Sequence, residues 1–207
     1  MIAVEVITWL LNVTRKVLRM SKIIITKNNY FRIALSELMQ KYNAGNSYYA
    51  IDLDCSTNLD KLLSIFSRCE EKNCTVFLFG SRGVYAELFS CFNVISMNQS
   101  VEAIASLIRK NYSTSPVHLI EYIASCHSLT RLSTSQIKIC LLDRKQNISL
   151  ALEMLVVNRS TIYRHINMAA SKYNFDSLVN FRCFISREFC NADLELLASS
   201  SVHSFSA

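Results

Sequence analysis

The sequence predicts two structural classes in one chain: an α/β unit with a parallel sheet flanked by helices, then an all-α unit of four helices. Three observations carry this. Through about residue 110, short β-branched or aromatic runs alternate with stretches of helical periodicity. From Leu132 onward only the helical period remains. Gly and Pro together number four in 207 residues, which leaves little material for elaborate loops and favours helix.

The elements follow in order. Ile23-Ile24-Ile25, bounded by Thr26-Lys27-Asn28-Asn29, reads as a buried parallel strand. Phe31, Leu35, Leu38 and Met39 recur at helical spacing through about Gln40. Tyr48–Leu53 reads as a strand, Leu59–Phe66 as a helix, Thr75–Phe79 as a strand and Tyr85–Phe89 as a short helix. Val94–Met97 is a further strand and Val101–Ile108 an amphipathic helix. A strand is missing or weak around Lys41–Ser47. This α/β domain occupies 20–110. Residues 111–131 are polar and mixed and read as a linker, with a short helix over Val117–Ser125. The helical domain spans 132–190, and 191–207 is a tail, Ser-rich and frayed from Ser199.

Residues 1–19 form an N-terminal extension. Met1–Leu11 is apolar and Arg15, Lys16 and Arg19 follow, the reverse of the order in a secretory signal. The stretch reads either as an amphipathic helix or as sequence upstream of a start at Met20. No run reaches the ~18–20 apolar residues of a membrane span, so a cytoplasmic protein without membrane association is expected.

Composition narrows the function classes. At 51% hydrophobic and 18% charged, the chain can bury a core and is not a disordered or collagen-like polymer. Its eight cysteines, at 55, 69, 74, 91, 126, 140, 183 and 190, lack any Cys-x-x-Cys and lie mostly in apolar stretches. They read as buried, reduced thiols. Zinc needs Cys or His clustered at short spacing, and Cys126-His127 near His118 falls short of that. No metal or cofactor is expected. No nucleophile–base pair or phosphate loop appears either, which argues against an enzyme or a small-molecule substrate.

Charge is unevenly placed. Residues 131–190 hold nine Lys/Arg against four acids, a net +5, while the rest of the chain sums to +1. A basic segment on a near-neutral remainder suits phosphate binding.

That segment has a helix-turn-helix pattern. Ser133-x-x-Gln136 has capping-box spacing, and Ile137, Cys140 and Leu141 make an apolar face behind it. Asp143–Asn147 is turn-like. Ser149 can cap a short second helix with Ala151, Leu152 and Leu155, closed by Val156-Val157. Asn158 can cap a third, in which Ile162, Ile166, Ala169 and Tyr173 share the inner face. Arg159, Ser160, Tyr163, Arg164 and Asn167 fall elsewhere and are of types that reach phosphates and base edges. Arg pairs with guanine and Asn with adenine through two bonds each, and a helix fits the major groove. Leu178, Phe181, Phe184 and Ile185 make a fourth helix for packing or dimerisation.

Leu155-x-Val157-Asn158-x-x-Thr161-Ile162-x-x-His165-x6-Lys172-Tyr173 resembles the recognition segment of LuxR/NarL-type regulators, and Leu132-Ser133-x-x-Gln136 resembles that family's opening Leu-Thr-x-x-Glu. The resemblance covers about residues 130–190. It implies a LuxR-type four-helix DNA-binding domain in which Tyr163, Arg164 and Asn167 stand where base-reading residues sit. It places Thr161, His165 and Lys172 where backbone contacts and packing are expected. The turn lacks the family's glycine and is one residue short, and Ala151-Leu152 replaces Ile-Ala.

An α/β unit before such a module suggests a receiver domain. A working receiver holds Mg²⁺ with an acidic pair after its first strand. Here Thr26-Lys27-Asn28-Asn29 supplies no carboxylate, and Met97-Asn98 stands where a lysine is expected. Asp52 lies where a phosphoacceptor would be, and Ser81 follows the third strand. Without the acid pair and the lysine, phosphoryl charge has little to neutralise it. The reading is a degenerate pseudo-receiver, with Asp52 a vestigial phosphosite. Ser21–Ile25, Asn29–Arg32 and Ile51–Cys55 are similar to the RcsA/RmpA family of enterobacterial capsule regulators. That similarity implies an activator of capsule or surface-polysaccharide genes, binding promoter DNA as a homodimer or with a response regulator such as RcsB. Two other readings stay open: a phospho-responsive regulator, and an interaction adaptor that does not bind DNA.

Overall fold

The computed structural model describes residues 22–43, 46–144 and 158–200. Within them, strands β1 (Lys22–Ile25), β2 (Tyr48–Asp52), β3 (Thr75–Gly80) and β4 (Val94–Ser96) form a parallel sheet in the order β1-β2-β3-β4. All five residues of β2 and five of the six in β3 are buried, as central parallel strands require. Alternate residues serve opposite faces. Tyr48, Ala50, Phe77 and Phe79 join Leu35 and Met39 of helix α1 (Asn29–Tyr42) and Ile104 and Ile108 of helix α4 (Val101–Arg109). Tyr49, Ile51, Val76 and Leu78 face the other way, against helix α2 (Leu59–Glu71), whose Leu62 and Phe66 are buried.

Most predicted elements form within a residue or two of their expected ends. Helix α1 runs on through Tyr42, and no strand occurs among the described residues of 41–47, so β1 is an edge of the described sheet. The strand expected over Tyr48–Leu53 stops at Asp52. Leu53–Cys55 is one turn of 3₁₀ helix, because Asp52 accepts the Asp54 N–H at 3.1 Å and turns the chain. The short helix α3 covers Val84–Leu88.

Two expectations fail. The segment 111–131 is not a free linker: the short helix expected over Val117–Ser125 forms as α5 (Pro116–His127), and it is packed against α2. Its mixed composition is that of an amphipathic helix. Leu119, Tyr122, Ile123 and Cys126 are buried at helical spacing, while His118, Glu121 and Ala124 are exposed. Tyr122 packs on Phe89 and Phe92 with ring centroids 5.5 and 5.2 Å away. Nor are residues 191–200 a tail. They form helix α9 (Asn191–Ser200), packed on helix α6 (Thr134–Arg144) through buried Leu194 and Ala198. Asp193 accepts the Cys190 N–H at 2.6 Å and starts that helix.

Helix α6 opens with the expected capping box. The Ser133 N–H donates to Gln136 Oε1 at 3.0 Å and the Gln136 N–H to Ser133 Oγ at 3.3 Å. Asp143 and Arg144, expected in a turn, are its last two residues. The second helix of the expected motif, from Ser149 to Val157, lies outside the described residues. Helices α7 (Arg159–Lys172) and α8 (Leu178–Glu188) follow. One continuous buried cluster runs from Tyr49 through Phe89 and Tyr122 to Phe184 and Ala198. Among the described residues, no helix is long and apolar enough to cross a membrane.

The cysteines divide into three groups, of which Cys55 and Cys183 are half-buried. Cys69, Cys74, Cys126 and Cys140 are buried, as expected, but Cys91 and Cys190 are exposed. Burial pushes the Cys69, Cys126 and Cys140 thiols up to about 12, which keeps them protonated and unreactive. In native buffer an alkylating pulse should therefore modify Cys91 and Cys190 first and spare these three until the chain unfolds. Mass spectrometry of the labelled peptides checks the order, and equal labelling of Cys140 and Cys91 would contradict it.

Candidate nucleic-acid interface

Helix α7 begins at Asn158, whose backbone is extended at φ −80° and ψ 164°. Its Oδ1 accepts the Thr161 N–H at 2.8 Å, the Ser160 hydroxyl at 2.7 Å and the Thr161 hydroxyl at 2.8 Å. Three donors from two neighbouring residues thus converge on one cap. Asn158→Ala should cost about 0.5–2 kcal/mol of stability through the lost cap. A urea titration checks this, and no change in midpoint would mean the cap is dispensable.

The inner face of α7 is as its spacing predicts. Ile162, Ile166, Ala169 and Tyr173 are fully or nearly fully buried. They sit against α6 and α8. Asn158, Arg159, Ser160, Arg164, Asn167 and Lys172 are exposed, while Thr161, Tyr163 and His165 are half-buried. The helix has no acidic residue, so its cationic side chains face solvent without a compensating charge on the same element. Arg159 adds its charge to the partial positive charge of the helix N-terminus.

Other predicted contacts are already engaged within the fold. Lys172 Nζ donates to Gln136 Oε1 at 2.9 Å, tying the end of α7 to the capping box of α6. Its remaining N–H donors still face outward on an exposed residue. His165 Nδ1 is buried without a hydrogen-bond partner among the described residues, so the ring packs at least as much as it projects. Tyr163 lies near Arg182 of α8. Arg182 is held above its usual range chiefly by its hydrogen bonds to Asp143, a two-pronged pair at 2.8 and 3.0 Å that fastens α8 to α6.

Arg131 was missed by sequence reasoning. Its guanidinium donates to the Lys172 carbonyl at 3.2 Å and lies over the rings of Tyr122 and Tyr173, 4.7 and 5.7 Å from their centroids. It fixes the C-terminal end of α7. The signal was a cation set to meet a helix C-terminus, but 41 residues of sequence separate the partners.

No family model, curated protein or solved structure matches this chain.

The surroundings of Asp52, expected as a vestigial phosphosite, are equally well defined. Asp52 ends β2 and is 4% exposed. Its Oδ2 accepts the Thr26 hydroxyl at 2.7 Å and the Cys55 thiol at 3.0 Å, and its Oδ1 accepts the Asp54 N–H. Both oxygens are occupied by neutral donors. Among the described residues no group of three or more His, Cys, Asp or Glu is placed to hold a metal ion. Ser81, beyond β3, reaches Asn98 at 3.5 Å.

Proposed function

We propose that this chain is a sequence-specific DNA-binding transcription regulator of the LuxR/NarL type, whose N-terminal half is a degenerate receiver that works without phosphorylation. The observation that carries the reading is the outer face of α7. It is free of acids, presents exposed Arg164 and Asn167, is bordered by exposed Arg159 and Lys172, and is backed by buried Ile162 and Ile166. Such a helix can enter the major groove, with Arg164 and Asn167 at base edges and the other cations at phosphates. The engaged state of Asp52 supports phosphorylation independence, since attack by a carboxylate needs a free oxygen and neighbouring countercharge. Two half-sites read by a dimer, or by a heterodimer with a response regulator such as RcsB, would supply register that one helix lacks. Capsule or surface-polysaccharide promoters are the targets that the similarity to the capsule regulators suggests.

The test is retention on duplex DNA as salt rises. Binding through phosphates releases counterions, so the logarithm of affinity should fall with the logarithm of salt at about −0.9 per phosphate contacted. Retention that is absent at 50 mM salt, or flat from 50 to 200 mM, would overturn the reading. Acetyl phosphate should leave Asp52 unlabelled.

A further inference from the structure

We infer that Asp54 is a built-in anionic clamp on the loop between β3 and α3, and that it holds the junction between the two halves of the chain in one permanent arrangement. The comparison with a phosphoryl switch rests on the receiver reading above; the clamp itself rests only on geometry. Asp54 sits in the turn just past β2, and Asp52 fixes its backbone. The residue at the phosphoacceptor position thereby aims its neighbour. Asp54 Oδ2 accepts the Ser81 N–H at 2.8 Å and Oδ1 accepts the Gly83 N–H at 2.9 Å. Two backbone donors of one loop converge on a single charged group, as in an anion nest.

The loop sequence is fitted to this approach. A Cβ on Gly83 would lie 2.5 Å from Asp54 Oδ1 and 3.1 Å from Asp54 Cα. A Cβ on Gly80 would lie 2.7 Å from Ala86 Cβ. Neither glycine has a positive φ, so space and not backbone freedom explains them. Two of the chain's three glycines therefore flank this contact.

The clamped loop leads directly into the junction. The Arg82 carbonyl accepts from Asn180 Nδ2 of α8 at 3.1 Å. One residue beyond the loop begins α3, whose Glu87 accepts the Ser177 N–H at 3.2 Å and Asn180 Nδ2 at 2.7 Å. Tyr85 of α3 donates to Glu188 of α8, and Glu188 also accepts the Leu59 N–H at 3.1 Å. Shifting the loop would have to break the Arg82–Asn180 bond and move α3 against α8. Regulatory phosphorylation orders such loops by adding an anion that backbone or basic groups can grasp. Here the anion is encoded in the sequence, so the loop is always ordered and no effector is needed.

Hydrogen exchange of the full chain, read peptide by peptide, tests the inference in Asp54→Asn, Glu87→Gln and the double variant. In Asp54→Asn, exchange should rise about tenfold across 81–88 and at 177–180, with β2 and α7 unchanged; a lost charge-assisted bond is of that order. The double variant should open 177–180 no further than the sum of the single effects less a clear coupling, because both residues act on one junction. A rise confined to 81–83, or strictly additive effects at 177–180, would overturn the inference. Should Asp54→Asn open the whole chain, Glu87→Gln decides: it must raise exchange in 81–83 as well as in 177–180, and failure to do so overturns it. DNA retention of the unaltered chain fails or succeeds independently of all these outcomes.

Discussion

Phe184→Ala should lower the stability of the chain by about 3–5 kcal/mol, the usual cost of emptying a phenylalanine site in a packed core. Phe184 is completely buried. Its ring lies 6.0 Å from Tyr173, 5.5 Å from Phe175 and 5.9 Å from Phe189, so α7, α8 and the segments after both meet on it. Large, rigid rings on three sides cannot collapse into the space, which places the expected loss at the upper end of the range. Because the buried cluster continues past Phe89 into the sheet, one cooperative urea transition should shift as a whole. A shift worth under about 1 kcal/mol would mean that the aromatic cluster does not pack as described.

Arg164→Ala should cost roughly 1–3 kcal/mol of specific DNA affinity and relax discrimination at one base position. Arg164 is exposed on the face of α7 opposite Ile162 and Ile166. Its removal should therefore leave the urea midpoint within about 0.5 kcal/mol of the parent. Footprinting and affinity on matched and mismatched sites measure the effect, and an unchanged footprint would remove Arg164 from the reading face. Lys172→Ala should behave differently. It should weaken binding to every sequence about equally, and it should also lower stability, since Lys172 is bonded to the capping box of α6.

The sheet and most helices were legible because their signals are local. A β-branched run such as Ile23–Ile25, or the spacing of Leu59, Leu62 and Phe66, needs only a few neighbouring residues. The inner face of α7 and the reciprocal bonds of Ser133 and Gln136 were legible for the same reason. The helix expected over Val117–Ser125 forms as α5, but its packed role was not legible, because its buried residues are interleaved with polar ones and its partner, α2, is remote in sequence. Helix α9 was lost among its serines, although Leu194 and Ala198 sit one turn apart. The roles of Arg131, Glu188 and Asp54 depend on contacts across 27 to 129 residues, which no periodicity announces.

The seam at Glu188 bears on how this protein could be re-engineered. An α/β half followed by a helical half invites exchange of one for another, as though each were a cartridge. Here the carboxylate that finishes α8 also seats the first turn of α2. A transplanted helical half without a glutamate at that position would leave the Leu59 amide wanting an acceptor and the Tyr85 hydroxyl with only the Thr57 carbonyl. The graft would also strip the covering from Phe89 and Tyr122 unless it brought its own apolar lid. On the proposed DNA-binding reading, new targets are therefore better reached by changing side chains on α7 than by swapping parts.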